Sequence, residues 1–289
     1  MNNNIYVSTG VFKTKDFNDI IKVCLDNGLY NLELSSALDN TLDIVGFIKR
    51  YVNDPMHYLI HNYFPSSVEP FVINLAADNQ EILQKSRNHC LQAIDLSSEL
   101  DSEFYSVHAG FAFKAEPYHL GNVFKDITRT SYEKAYETFV ESIKILADYS
   151  KSQNKKLLVE NNVITRCNLI NGKNELLLMV TADDLIRLYK DVARDNVGFL
   201  IDLGHLNVSA HTLHFDKCKF IDQIRDYIVA FHLSDNNGEE DQHLQFNESI
   251  WFMPLLRDFP FATKIIEVYN IEIVNMQELI HIIEPIYSS

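Results

Sequence analysis

The sequence predicts a (β/α)₈ barrel of the TIM type, and three observations carry that prediction. Eight short β-rich runs alternate with helical patterns from end to end of the chain. The length, 289 residues, suits a barrel of this kind, which runs to roughly 250 residues. The turn after the first run, STGVFKTKDF, is not the Gly-rich phosphate loop that usually follows the first strand of a doubly wound open sheet.

The runs, in order, are IYVST near residue 5, LYNLEL near 29, YLIHNY near 58 and EFYSVHAG near 103. They continue with KLLVEN near 156, VGFLIDLG near 197, IVAFHLSD near 228 and KIIEVY near 264. Their weak apolar/polar alternation suits parallel strands covered on both faces. Between them, residues 16–27 place Phe17, Ile20, Ile21, Cys24 and Leu25 on one stripe, and Gly28 follows as a stop. The same period recurs over 79–99, 131–151 and 182–194, with Thr181 as an N-cap and acids in the first turn after it. A last helix is expected near 275–287. No Pro- or Ser-rich linker interrupts the pattern, so residues 1–289 are expected to form one barrel domain.

Composition narrows the function. With 46% hydrophobic and 22% charged residues the chain can bury a large core, and its formal net charge is -15. Duplex nucleic acid is held mainly by cations on phosphates, so this balance disfavours a general nucleic-acid binder. Cys24, Cys90, Cys167 and Cys218 form no Cys-x-x-Cys pair, and MNNNIYVS is no signal peptide. Free thiols in a reducing cytoplasm are the expectation. No apolar run is long enough for a bilayer.

In a barrel the reacting groups come from the C-terminal ends of the strands. Those ends carry Glu33, His61, His108, Glu160, Asp202 with His205, His232 with Asp235, and Glu267; Asp241 and His243 follow in the seventh loop. A single histidine or carboxylate at such a place is usually structural or solvated. The convergence is what matters. Several buried carboxylates at one mouth repel each other unless a cation neutralises them, and no Lys or Arg stands at these ends. A divalent metal answers this. The mixed imidazole and carboxylate set suits zinc, manganese, cobalt, iron or magnesium rather than a thiolate-seeking metal.

The runs VENN (159–162), DLGH (202–205), HLSDNNGEEDQH (232–243) and IIEVYN (265–270) resemble the xylose-isomerase-like barrel superfamily, across nearly the whole chain. Two lineages of that group bear on this chain. Resemblance to the ketose epimerases implies one metal on Glu160, Asp202, His232 and Glu267. It further implies Glu160 and Glu267 as the proton-transfer pair beside a polarised carbonyl, with His205 orienting a substrate oxygen. Resemblance to the endonuclease IV-type nucleases implies up to three zinc ions, on the same four residues together with His61, His108, His205, Asp241 and His243. The stretch FVINLAADNQEILQKSR (71–87) also looks like that lineage. Against the nuclease stand the acidic balance and the rim: residues 203–216 contain no Lys or Arg, and 234–250 are acidic.

Two positions depart from the relatives. True xylose isomerases carry a Lys two residues after the fifth-strand Glu, where this chain has Asn162. This disfavours a hydride shift and favours proton transfer. The ketose epimerases carry an Arg six residues after the seventh-strand His, where this chain has Gly238. The resemblance therefore implies a metal-dependent isomerase or epimerase of carbohydrate metabolism, acting on a sugar or a sugar phosphate, and relatives that form homo-oligomers; the alternatives are a zinc-dependent phosphoester hydrolase of the endonuclease IV type and a non-catalytic barrel that only binds a metal or ligand.

Lesser candidates lie nearby. Asn62 follows His61 and could line the pocket with Tyr63; Lys114, Lys125 and Arg166 could meet a phosphate, although solvated charges are the plainer reading. In the long loop 111–131, Phe111, Phe113 and Tyr118 could stack on a sugar ring or pack on the rim. Trp251 is expected to pack at the start of the seventh helix. His119, His211 and His214 are assigned no role.

Overall fold

The computed structural model describes residues 4–35, 56–67, 69–119, 121–125 and 127–287, together with Leu38, Gly46 and Ile48. Eight parallel strands close on themselves in chain order: β1 Ile5–Ser8, β2 Asn31–Leu34, β3 His57–His61, β4 Phe104–His108, β5 Lys156–Glu160, β6 Val197–Asp202, β7 Ile228–Leu233 and β8 Thr263–Ile266. β8 pairs with β1 through Ile5↔Lys264, Tyr6↔Ile265 and Val7↔Ile266, so no edge remains open. The helices described around the sheet are α1 Phe17–Asp26, α2 Gln80–Glu99, α3 Tyr132–Ser152, α4 Ala182–Val192, α5 Leu203–Leu213, α6 Lys217–Ile224, the short α7 Met253–Leu256 and α8 Ile273–Ile283.

Local signals account for where the helices start and stop. Asp16 caps α1 by accepting from the amides of Asn18 and Asp19, and Gly28, at φ +67°, turns the chain out of it. Thr181 and Asp184 form a capping box at the head of α4. The last helix begins two residues earlier than its apolar period suggests and ends in a 3-10 turn, Glu284–Tyr287.

The period of two along each strand positions the site. Leu59, Leu158, Leu200, Ala230 and Ile265 pack together with Phe104 as a separate apolar cluster. Their neighbours Ile60, Val159, Ile201, Phe231 and Ile266 belong to the larger core beneath the helices. One further step along the same strands gives His61, Glu160, Asp202, His232 and Glu267. These chemical groups therefore form the layer above the apolar filling of the barrel.

The opposite end is closed by Lys264, which is fully buried. Its ammonium donates to the carbonyls of Phe259 and Ala262 and lies 4.4 Å from the centroid of the Tyr287 ring. The Tyr287 hydroxyl donates to Asn4 O at 2.9 Å and Ala262 O at 3.1 Å, joining the two ends of the chain. No helix among the described residues is long and apolar enough to cross a membrane.

Candidate metal centre

All nine residues that the sequence points to are brought together at the C-terminal mouth, and a tenth, Glu33, joins them. Three overlapping groups can be distinguished. The central one is built around His232, fully buried on β7. Its Nδ1 lies 3.1 Å from Glu267 Oε2, 3.6 Å from Glu160 Oε1 and 3.7 Å from Asp202 Oδ2. On one side, His61 Nε2 and His108 Nε2 approach Glu160 Oε2 at 3.5 and 3.2 Å. On the other side, His205 Nε2 and His243 Nε2 both face Asp241 Oδ2, at 3.1 and 3.0 Å.

Each of four histidines is anchored through one ring nitrogen and offers the other to the centre. His61 Nδ1 is 2.9 Å from Ser106 Oγ. His205 Nδ1 donates to Asn161 O at 2.9 Å and His243 Nδ1 donates to Glu267 O at 3.1 Å. His232 is turned the other way: its Nε2 lies 3.0 Å from Glu33 Oε1, and its Nδ1 faces inward. The backbone is braced as well. Asp202 N donates to Asn161 Oδ1, and Asp202 Oδ1 caps α5 through His205 N at 2.7 Å. Tyr269 stacks on His243 with ring centroids 3.9 Å apart, and its hydroxyl donates to Glu267 Oε1 at 3.4 Å.

The electrostatics are those of a site that attracts positive charge. Burial works against protonating His232, yet the carboxylates of Glu33, Glu267 and Glu160 hold its pKa well above the ordinary value. His205 is also raised, against burial, by Asp202 and Asp241. For His243 the desolvation is outweighed by the hydrogen bond to Asp241 and the charge of Glu267, and its pKa reaches about 9. Burial pushes Asp202 up to about 7. Protons thus gather where the protein has placed five carboxylates, Glu33, Glu160, Asp202, Asp241 and Glu267.

Several of these buried atoms have no hydrogen-bond partner among the described residues: both carboxylate oxygens of Glu160, Asp202 Oδ2, Asp241 Oδ1 and His232 Nδ1. Unpaired buried polar atoms are costly, and here they converge from four elements. Four sets of three residues offer atoms within 4.8 Å of one another: Glu33, His61, His232; His61, His108, Glu160; Glu160, Asp202, His205; and Asp202, His232, Glu267. The donors are imidazole nitrogens and carboxylate oxygens, which fit a divalent cation of the zinc or manganese kind.

The lesser candidates fall elsewhere. Asn62 is buried at φ 45°, and its carbonyl accepts from Tyr105 OH at 2.9 Å. Lys114 pairs with Glu116 at 2.9 Å on the surface, and Arg166 is exposed in the turn Arg166–Asn168. Neither joins the centre. Phe111 and Phe113 are packed under the loops with Ile164 and Leu177, whereas Tyr118 remains 66% exposed. Trp251 is half-buried in the turn before α7, with the Lys217 ammonium 4.0 Å from its ring centroid. Asn162, which stands where xylose isomerases carry Lys, donates its amide to the carbonyls of Ala109, Gly110 and Leu178 at 3.3, 3.2 and 2.8 Å. Glu33 and Tyr269 were visible as polar residues at the ends of strands, but nothing in the sequence tells which partner each would meet across the barrel.

A family model described as "Xylose isomerase-like TIM barrel" matches residues 36–279. Two proteins of Methanocaldococcus jannaschii are similar in sequence. The uncharacterized protein MJ1311 is 27% identical over 179 residues, 61% of this chain and 52% of that protein. The match therefore spans about half the length of that relative. The uncharacterized protein MJ1614 is 23% identical over 274 residues, 91% of each. Among solved structures, a D-tagatose 3-epimerase-like protein superposes with a TM-score of 0.74 at 18% identity, covering 99% of this chain and 98% of the other. The 3-keto-D-glucoside 4-epimerase YcjR of E. coli gives 0.69 at 12% identity, covering 99% of each. The TTHB071 protein from Thermus thermophilus, soaked with zinc chloride, gives 0.67 at 15% identity, covering 98% of each. These structural likenesses are likenesses of fold.

Proposed function

The chain belongs to the xylose isomerase-like TIM-barrel family, and from that premise we propose that it is a divalent-metal-dependent isomerase or epimerase of a sugar or sugar phosphate. One observation carries the reading: His232 Nδ1, without a hydrogen-bond partner, stands 3.1–3.7 Å from carboxylate oxygens of Glu267, Glu160 and Asp202. Glu160, Asp202, His232 and Glu267 would hold the cation. The epimerases among the structural neighbours and the zinc-soaked neighbour support the same direction.

A cation bound there supplies Lewis acidity to a substrate carbonyl and to the negative charge that develops on its oxygen. The protein does the rest. Glu160 and Glu267 reach the centre from β5 and β8; one takes the proton from the carbon beside the carbonyl and the other returns a proton to the opposite face. Tyr269 holds Glu267 Oε1, leaving Oε2 turned to the centre. Asp241 and His243, on the seventh loop, complete the wall beside His205. Asn162 is engaged with three carbonyls and offers no cation for a hydride shift.

A second reading has its own observation. His205, Asp241 and His243 form a compact group with independent backbone anchors, and His61, His108 and Glu160 form another. Such a three-lobed centre suits more than one ion, and with two or three zincs a phosphoester hydrolase of the endonuclease IV type becomes the better reading. The net charge of -15 weighs against a nucleic-acid duplex as substrate.

Metal content per chain, measured by elemental mass spectrometry on protein purified without chelators, separates the two. Single-metal protein should then carry solvent deuterium into a keto sugar or its phosphate, and Glu160→Gln or Glu267→Gln should stop it. No exchange across a broad panel with zinc, manganese, cobalt or magnesium ends the isomerase reading. Two or three zincs, with chelator-sensitive cleavage of a phosphoester, would replace it.

A further inference from the structure

Resting on that metal centre, we propose that Glu33 is its positioning residue: the carboxylate fixes His232 as the Nε2–H tautomer, so that Nδ1 presents its lone pair to the cation. Glu33 lies on β2 and His232 on β7, and these strands are not neighbours in the barrel. Their 3.0 Å bond therefore crosses the barrel interior, between two side chains that are both fully buried.

Three features single this bond out. First, it reverses the ring. His205 and His243 are anchored through Nδ1 and offer Nε2, as is His61, whereas His232 is anchored through Nε2 and offers Nδ1. Second, the anchor is charged. The other three lean on a hydroxyl or a backbone carbonyl, but His232 leans on a carboxylate, a stronger acceptor that makes the opposite nitrogen a better donor to metal. Third, the hydrogen bond of Glu33 is to His232. Among the described residues Glu33 Oε2 makes no hydrogen bond, so a wholly buried carboxylate is held in the barrel with His232 as its partner. Burying a carboxylate with one bond is unfavourable for folding alone. Metal-binding histidines whose second nitrogen meets a carboxylate owe about 10–100-fold of their metal affinity or activity to that partner.

The primary test is zinc affinity, measured by competition with a chromogenic chelator. Glu33→Gln keeps the shape and removes the charge, and it should bind zinc about 10–100-fold more weakly than the natural chain. Equal affinity overturns the role of Glu33 while leaving the centre intact. A natural chain that binds no zinc overturns both, so the two failures are distinct. A second measurement needs no variant. In natural protein carrying ¹⁵N-histidine and loaded with ¹¹³Cd, long-range proton–nitrogen correlations should show the His232 proton on Nε2 and the cadmium coupling on Nδ1. The opposite assignment overturns the proposal even if Glu33→Gln fails to fold.

Discussion

On the proposed metal reading, the metal-free protein should lose stability as pH rises, and His243 sets the scale. Its Nε2 lies 3.0 Å from Asp241 Oδ2 and its pKa is raised from 6.5 to about 9. A raised folded-state pKa means that the bound proton favours the fold. That contribution is fully present below pH 6.5 and is lost as pH climbs through 9. The interval of about 2.5 pH units corresponds to about 3 kcal/mol. His205 and His232, also raised, act in the same direction. Metal binding requires these imidazoles to be neutral, so a bound cation takes the place of the proton and loses nothing at pH 9. Urea unfolding of chelated and zinc-loaded protein at pH 6.5 and pH 9 measures both curves. The gap between them should widen by about 3 kcal/mol or more toward pH 9. In His243→Gln the widening should shrink by about that amount. A gap of constant width, or one that His243→Gln leaves unchanged, refutes the reasoning.

Three further perturbations have defined outcomes. Tyr269→Phe removes the 3.4 Å donor to Glu267 Oε1; a loss of about 1 kcal/mol, about fivefold, is expected in kcat with KM nearly unchanged, and a loss confined to KM would contradict it. Lys264, pushed down by burial to about 8, carries the opposite pH sign: the cost of its charge is fully present below pH 8 and is relieved as pH rises to 10.5. Lys264→Met should therefore gain on the natural chain as pH falls across that window, by up to about 3 kcal/mol in urea unfolding, and a pH-independent difference would exclude this. Gly110→Ala would put a Cβ 2.6 Å from Ala76 Cβ and 3.1 Å from Asn74 Oδ1; a destabilisation of about 1–3 kcal/mol is expected by denaturant titration, whereas an unchanged midpoint would mean that these loops yield freely.

How much of this was readable in advance follows from two periods. The alternation of two along each strand puts His61, Glu160, Asp202, His232 and Glu267 one step above Leu59, Leu158, Leu200, Ala230 and Ile265. A reader who finds the strands therefore finds the layer. The 3.6-residue period, the stop at Gly28 and the cap at Thr181 located the helices in the same way. Contacts across the barrel were not readable. Glu33 and His232 are 199 residues apart, and only closure of the sheet decides that they meet. Lys114 and Arg166 stand apart from the buried centre for a related reason: charge alone does not say whether a loop turns inward, and Lys114 pairs with Glu116 in its own loop.

The amide of Asn162 has an evolutionary consequence. Where true xylose isomerases carry Lys, this chain has an amide that ties together the backbones that leave β4 and β5. Turning a Lys there toward a substrate would take that donor from the carbonyls of Ala109 and Leu178, while Gly110 O would keep the amide of Leu178, before any gain in chemistry could be selected. The substitution thus carries a cost in folding. A lineage accepts the change most easily after the carbonyls of Ala109 and Leu178 have found other partners, so the order of substitutions is constrained by the scaffold.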